Sequence, residues 1–154
     1  MSAKQTLTVY ITCKDAARAI DFYKQAFGAV EELRLAEPGG KIGHAELRVG
    51  NSLLMLSDEY PEMNIKSPQA IGGTPVVISI EVDDADAVFG RAVAAGATVV
   101  RPLADQFYGY RAGKVADPFG HVWGVMANKE HLSNDEIRRR FDVMMKQPAG
   151  ADTN

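Results

Sequence analysis

The chain has 154 residues, 46% of them hydrophobic and 24% charged, with 17 basic against 20 acidic side chains and a net charge of −3. That is enough for one domain with a real core, and it excludes a disordered chain. The acidic balance, with no concentrated basic patch, argues against nucleic acid as a partner. No stretch approaches the ~20 apolar residues of a membrane span, and the start of the chain lacks the apolar run of a signal peptide, so no membrane partner and a cytoplasmic location are expected.

In chain order, LTVYITC (7–13) alternates as a strand does, with Leu7, Val9 and Ile11 on one face and Thr8, Tyr10 and Thr12 on the other. It holds the single cysteine, Cys13, which excludes an intrachain disulfide or a cysteine-rich metal site and suits a small buried strand residue. KDAARAIDFYKQAFGAVEE (14–32) reads as an amphipathic helix ended by Gly28, with Phe22, Tyr23 and Phe27 on its core stripe. Strand signals follow in AVEELRLA (29–36), KIGHAELRVG (41–50) and SLLMLSD (52–58), separated by the turn pairs Gly39-Gly40 and Gly50-Asn51. Residues 59–74, rich in proline, glycine and polar side chains, form a linker. GGTP (72–75) is not a phosphate-binding loop, because no strand precedes it.

The pattern then repeats. PVVISIEV (75–82) places Val76, Ile78, Ile80 and Val82 on one face and Val77, Ser79 and Glu81 on the other. VDDADAVFGRAVAAGATVV (82–100) overlays the first helix without a gap, Asp15 on Asp83, Ala26 on Ala94 and Gly28 on Gly96. Strand signals recur in TVVRPL (98–103), around YRAGKVAD (110–117) and, after the Asp117-Pro118-Phe119-Gly120 turn, in HVWGVMA (121–127). The order is β-α-β-β-β, linker, β-α-β-β-β. Ser133 and Glu136 form a capping box that predicts a helix over 133–146, followed by a flexible tail, 147–154.

The purely apolar strand faces are expected under the helices, which leaves the mixed faces to line a concavity with Tyr10, Thr12, Ser79 and Glu81. His44 and Glu46 lie two apart and share a face, as an oriented base or as a hydrogen-bonded structural pair. FYGYR (107–111) offers Phe107, Tyr108 and Arg111 to a planar or anionic ligand, or else packs as a hairpin on its own sheet. His121 holds the DPFG turn or faces solvent, His131 is exposed, and Trp123 belongs to the core. Arg138, Arg139 and Arg140 read as a solvated helix face. Neither HxH nor HExxH is present, and no nucleotide or S-adenosylmethionine fingerprint is present.

FYKQAFGA, AAGATVV and ADPFGHVW at these places resemble the vicinal oxygen chelate superfamily, which includes glyoxalase I, bleomycin-resistance proteins and extradiol dioxygenases. HAELRVGNSLLMLSDEYPE, EVDDADAV and RPLADQFYGYRAGKVADPFGHVWGVMA further resemble its PhnB-like group, and the resemblance covers about residues 5–130. It implies an α+β glyoxalase-like fold, with βαβββ modules at 5–58 and 75–127 forming a cup-shaped mixed sheet, plus the C-terminal helix. It also implies a homodimer, since such cups are often completed by a second copy. Metal-dependent members take one ligand from the first and one from the last strand of each module. Those places fall here at Thr8, at Val77 or Val76, at Leu54 or Met55, and at Gly124.

None of these is His, Glu or Gln, and the neighbours Val9, Leu53, Ile78 and Val125 are no better. A divalent ion that polarises vicinal oxygens needs several N or O side chains converging on it, so neither metal nor cofactor is expected. The primary reading is a metal-independent protein that binds a small, partly planar or anionic molecule. The alternative is a glyoxalase-like lyase or other acid–base enzyme using His44 and Glu46.

Overall fold

The computed structural model describes residues 3–147. The first alternating run becomes strand β1 (Val9–Cys13), with Ile11 and Cys13 buried and Tyr10 half exposed. Helix α1 (Ala16–Phe27) starts where the Asp15 carboxylate accepts the Arg18 amide at 3.2 Å. It ends at Gly28, whose φ of 67° lies in the left-handed region that a Cβ disfavours. Ala16, Ala19, Ile20, Tyr23, Ala26 and Phe27 form its buried stripe. Fully burying a side chain such as Ile20 contributes about 1.5–3 kcal/mol. Strands β2 (Val30–Ala36), β3 (Ile42–Val49) and β4 (Ser52–Asp58) complete a sheet of order β1-β4-β3-β2. β1 runs parallel to β4, and the other pairs are antiparallel.

A short helix, α2 (Pro68–Ile71), interrupts the linker. The second module repeats the first with β5 (Val77–Glu81), α3 (Ala85–Ala94), β6 (Thr98–Asp105), β7 (Tyr110–Ala116) and β8 (Val122–Asn128), in sheet order β5-β8-β7-β6. The repeat differs in detail from the ungapped overlay. Asp84, not Asp83, caps α3 by accepting the Ala87 amide at 3.0 Å, and α3 has 10 residues against 12 in α1. Helix α4 (Asn134–Met145) begins at Ser133, whose hydroxyl accepts the Glu136 amide at 3.2 Å. Of the tail expected at 147–154, only Gln147 lies among the described residues. No helix among the described residues is long and apolar enough to cross a membrane.

Helices α1 and α3 pack against each other, and one core draws on both modules. Tyr23 of α1 reaches the second module, where its hydroxyl and the Trp123 indole N–H both donate to Asp117 Oδ2, at 2.5 and 2.9 Å. Asp117 Oδ1 accepts the amides of Phe119 and His121, so this buried carboxylate is fully partnered and fixes the DPFG turn. His121 is buried in the same junction, its Nε2 2.8 Å from the Thr12 carbonyl across the modules. Asp58 does the equivalent work inside the first module, accepting the amides of Ala16 at 2.8 Å and Ile42 at 2.7 Å. Since the helix-bearing faces meet in the shared core, the opposite face of each sheet has no covering element among the described residues.

Candidate functional site

Strand register assigns every side chain on these open faces, because Cα partners across a ladder share a face. In the first sheet one row runs Tyr10, Met55, Glu46, Leu33. In the second, the matching row runs Ser79, Gly124, Lys114, Arg101. Leu54 is buried on the helix side, so Met55 is the open-face residue of β4, and Val77 is that of β5.

The first face carries a hydrogen-bonded chain. The Tyr10 hydroxyl lies 2.9 Å from His44 Nδ1, and His44 Nε2 lies 3.2 Å from Glu46 Oε1. An ionised carboxylate only accepts, so Nε2 donates to Glu46. Neutral His44 then accepts at Nδ1, and the Tyr10 O–H donates to it. The tyrosine and imidazole rings are tilted against each other at 5.5 Å between centroids. The His44 and Glu46 side chains keep 24% and 30% of their exposure, so the chain is reachable from solvent. Thr12 and Ser57 extend this face, and with Tyr10, Tyr60 and Lys66 they line a cavity of about 490 Å³.

The second face holds a separate cavity of about 100 Å³, lined by Ser79, Gly124, Lys114, Arg101, Gln106 and Tyr108 among others. Glu81 lies outside both, lining a trough of about 550 Å³ along the module junction that also takes in Ser79, Val9, Ile80 and Trp123. The single concavity expected from the strand pattern is therefore divided within one chain. Tyr10, Thr12, His44 and Glu46 come together on one sheet, and Ser79 and Tyr108 on the other.

Two expected ligand contacts are placed elsewhere. Arg111 pairs with Ala127 across the ladder and so points to the helix side. There its guanidinium holds Asp86 of α3 at 2.8 and 3.0 Å and Asp105 at 3.3 Å. The hydrogen bonds from Arg111 hold the Asp86 carboxyl below its usual range and raise the guanidinium further. Phe107 packs on Phe141 of α4 at 5.9 Å, and its carbonyl accepts from Arg140 at 3.2 Å. The hairpin FYGYR is thus a joint between the second sheet and α4, with Tyr108 turned toward the open face and Tyr110 on the same side by its register. Trp123 and Cys13 are core, and His131 is exposed, with a positive φ of 51°.

The strand positions that would hold a metal carry no donor set for one. A Cβ built on Gly124 would stand 3.0 Å from Ser79 Oγ and 3.5 Å from Val77 Cγ1, which locates that position on the open face beside a hydroxyl and an alkyl group. Its counterpart in the first sheet is Met55, beside Tyr10. Hydroxyl, thioether and alkyl groups do not supply the converging imidazole and carboxylate donors that a catalytic divalent ion requires. Among the described residues no three His, Cys, Asp or Glu side chains come together in a way that could hold a metal ion.

Strand alternation did not reveal Lys114 and Arg101 in the sequence, though a signal was present. The offset that lays Lys14 on Val82 also lays Glu46 on Lys114 and Leu33 on Arg101. Carrying the repeat from the helices into the strands would have brought both cations to the site.

The glyoxalase/bleomycin resistance protein/dioxygenase superfamily model matches residues 5–125. The protein Mb0911c of Mycobacterium bovis is 45% identical over 141 residues, covering 90% of this chain and 93% of that one. Among solved structures, protein PA1353 from Pseudomonas aeruginosa superposes with a TM-score of 0.68 at 29% identity, over 82% of this chain and all (100%) of that one. TioX from Micromonospora sp. ML1 superposes with a TM-score of 0.63 at 30% identity, over 84% of this chain and 100% of that one. Duplicated modules, sheet order and these matches agree: the chain belongs to the glyoxalase/bleomycin resistance protein/dioxygenase superfamily.

Proposed function

We propose that this protein binds a small, partly planar organic molecule without a divalent metal, in a cup that a second copy of the chain completes. The observation that carries this reading is the character of the open faces. Each bears polar side chains set among apolar ones, and Tyr10, Leu35 and Val77 stay 48%, 54% and 40% exposed on them with nothing among the described residues to cover them. Apolar side chains left exposed among polar groups on a sheet face favour an interaction site there. The absent donor set supports metal independence. A single buried thiol and no membrane-crossing helix among the described residues support a cytoplasmic setting, which is part of the same proposal.

The test pairs elemental analysis with a ligand screen. Protein exposed to excess Zn²⁺, Ni²⁺ and Mn²⁺ and then desalted is expected to retain far less than one metal per chain. Aromatic carboxylates or heteroaromatic compounds are expected to raise its melting temperature. Stoichiometric metal, or no shift with any planar ligand, would sink this reading.

The Tyr10–His44–Glu46 chain favours a second reading, acid–base catalysis. A proton passing from the Tyr10 hydroxyl to His44 Nδ1 would leave an imidazolium held by Glu46 and a phenolate able to accept a proton from an enolisable substrate. Turnover of a hemithioacetal, lost in His44→Ala and reduced about 10²- to 10⁴-fold in Tyr10→Phe, would support it. Unchanged turnover in both variants removes the chain from the chemistry.

A further inference from the structure

The second open face carries a feature that the first lacks. Arg101 and Lys114 are direct partners across the β6–β7 ladder. Like charges placed opposite each other in a sheet repel and destabilise the pair. The register is bulged here, as it is at the matching place between Glu31 and Leu33 in the first sheet, but only here does the bulge carry a cation. Val99 pairs with Val115, and a bulge inserts Val100 before Arg101 meets Lys114. Without that extra residue Arg101 would lie opposite Gly113, whose Cβ position points at Phe89 of α3 on the helix side. The bulge turns the second cation onto the open face, which is what bulges beside binding sites commonly do.

Nothing in the cavity offsets these charges. None of the residues lining it is a carboxylate, and neither cation belongs to an ion pair among the described residues, whereas Arg34, Arg48, Arg111 and Arg140 each hold one. The guanidinium is nonetheless positioned. Arg101 Nη2 donates to Gln106 Oε1 at 3.4 Å, and the Gln106 amide is anchored on the carbonyls of Ala104 and Ala112. The hydroxyls of Ser79 and Tyr108 face the same space, and Gly124 keeps its floor free of a side chain.

We propose that this face is an oxyanion site, in which Arg101 and Lys114 hold a carboxylate or phosphonate group of the molecule bound in the cup. The inference rests on the cup reading and narrows it to a ligand with a planar body and an anionic head. An oxyanion between the two cations turns their repulsion into two charge-assisted contacts. Arg101 supplies a fork and Lys114 a point charge.

The protein is titrated calorimetrically with phenylphosphonate, benzyl alcohol and inorganic phosphate at constant ionic strength. The wild type is compared with Lys114→Gln, Arg101→Gln and, as a control away from the site, Lys129→Gln. Phenylphosphonate is expected to bind saturably, benzyl alcohol at least about ten-fold more weakly, and each site variant to lose about ten-fold or more, with Lys129→Gln unchanged. Without anion, Lys114→Gln and Arg101→Gln are expected to melt higher than the wild type, since the repulsion is gone. Equal binding of phenylphosphonate and benzyl alcohol, untouched by the variants, overturns the oxyanion site and leaves the cup reading standing. Phosphate binding that depends on Lys114, with no organic compound binding beyond it, supports the oxyanion site and overturns the cup reading. Silence from all three probes overturns both.

Discussion

Cys13 and Tyr23 are buried side by side with the Asp117 carboxylate where the modules join, and that placement sets a pH limit on stability. Burial first, and the negative charge of Asp117 after it, push the Cys13 thiol well above its ordinary 9.0. Burial likewise raises Tyr23 above 10.0. A raised folded-state pKa contributes stability that is fully present below the unfolded value and is lost as pH rises past it. Between pH 8.5 and 10 the wild type is therefore expected to lose up to about 1.4 kcal/mol per pH unit as the unfolded chain ionises its thiol. Cys13→Ala, less stable at neutral pH, should show a much shallower slope over that window in urea unfolding, with the Tyr23 contribution setting in only toward pH 10. Equal slopes in both proteins would remove Cys13 from the effect. At this scale the sequence was partly legible. Alternation placed Tyr10, Ser79 and Cys13 on their proper faces, and the spacing of two put His44 beside Glu46. Arg111 was not legible, because its direction follows from its pairing with Ala127 and from Asp86 on a helix 25 residues away.

At the scale of elements, the segment that aims the cations is the β6–β7 ladder, and Gly113 is its tightest point. A Cβ there would stand 2.9 Å from the Arg101 carbonyl, the Leu103 amide and a Phe89 ring carbon. Two of these are backbone atoms that cannot step aside, so Gly113→Ala must open the ladder or displace α3. Overpacking of this kind costs about 1–3 kcal/mol. The variant is expected to unfold earlier in urea and to bind phenylphosphonate more weakly than that loss alone explains, because the bulge that carries Arg101 moves with it. Normal anion affinity in a destabilised protein would separate the bulge from the site. Helices and strands were readable from period and caps, down to the Ser133 cap; the Glu136 half of the box was not, since that carboxylate holds Arg139 and Arg140 instead. The bulges were not, since an inserted residue leaves the composition of a strand unchanged and shows only in its pairing. The one-residue slip between Asp83 and Asp84 has the same origin: an overlay of letters does not say which carboxylate caps the helix.

Across the whole molecule, what the sequence conveyed best was duplication, and what it conveyed least was orientation. Repeated letters announced two modules, but nothing local recorded that α1 and α3 would meet. That arrangement depends on contacts between distant positions such as Tyr23 with Asp117 and His121 with Thr12. It also makes the two rows non-equivalent halves, one bearing Tyr10, His44 and Glu46, the other Ser79, Lys114 and Arg101. On the proposed reading, in which a second copy completes the cup, a ligand touching both rows draws them from two different polypeptides. If that reading holds, chains carrying His44→Ala, co-expressed with chains carrying Lys114→Gln, would assemble mixed pairs that gather both defects in one cup and leave the other whole. Each defective allele would rescue its counterpart, and the activity or binding restored would report how many mixed pairs had formed.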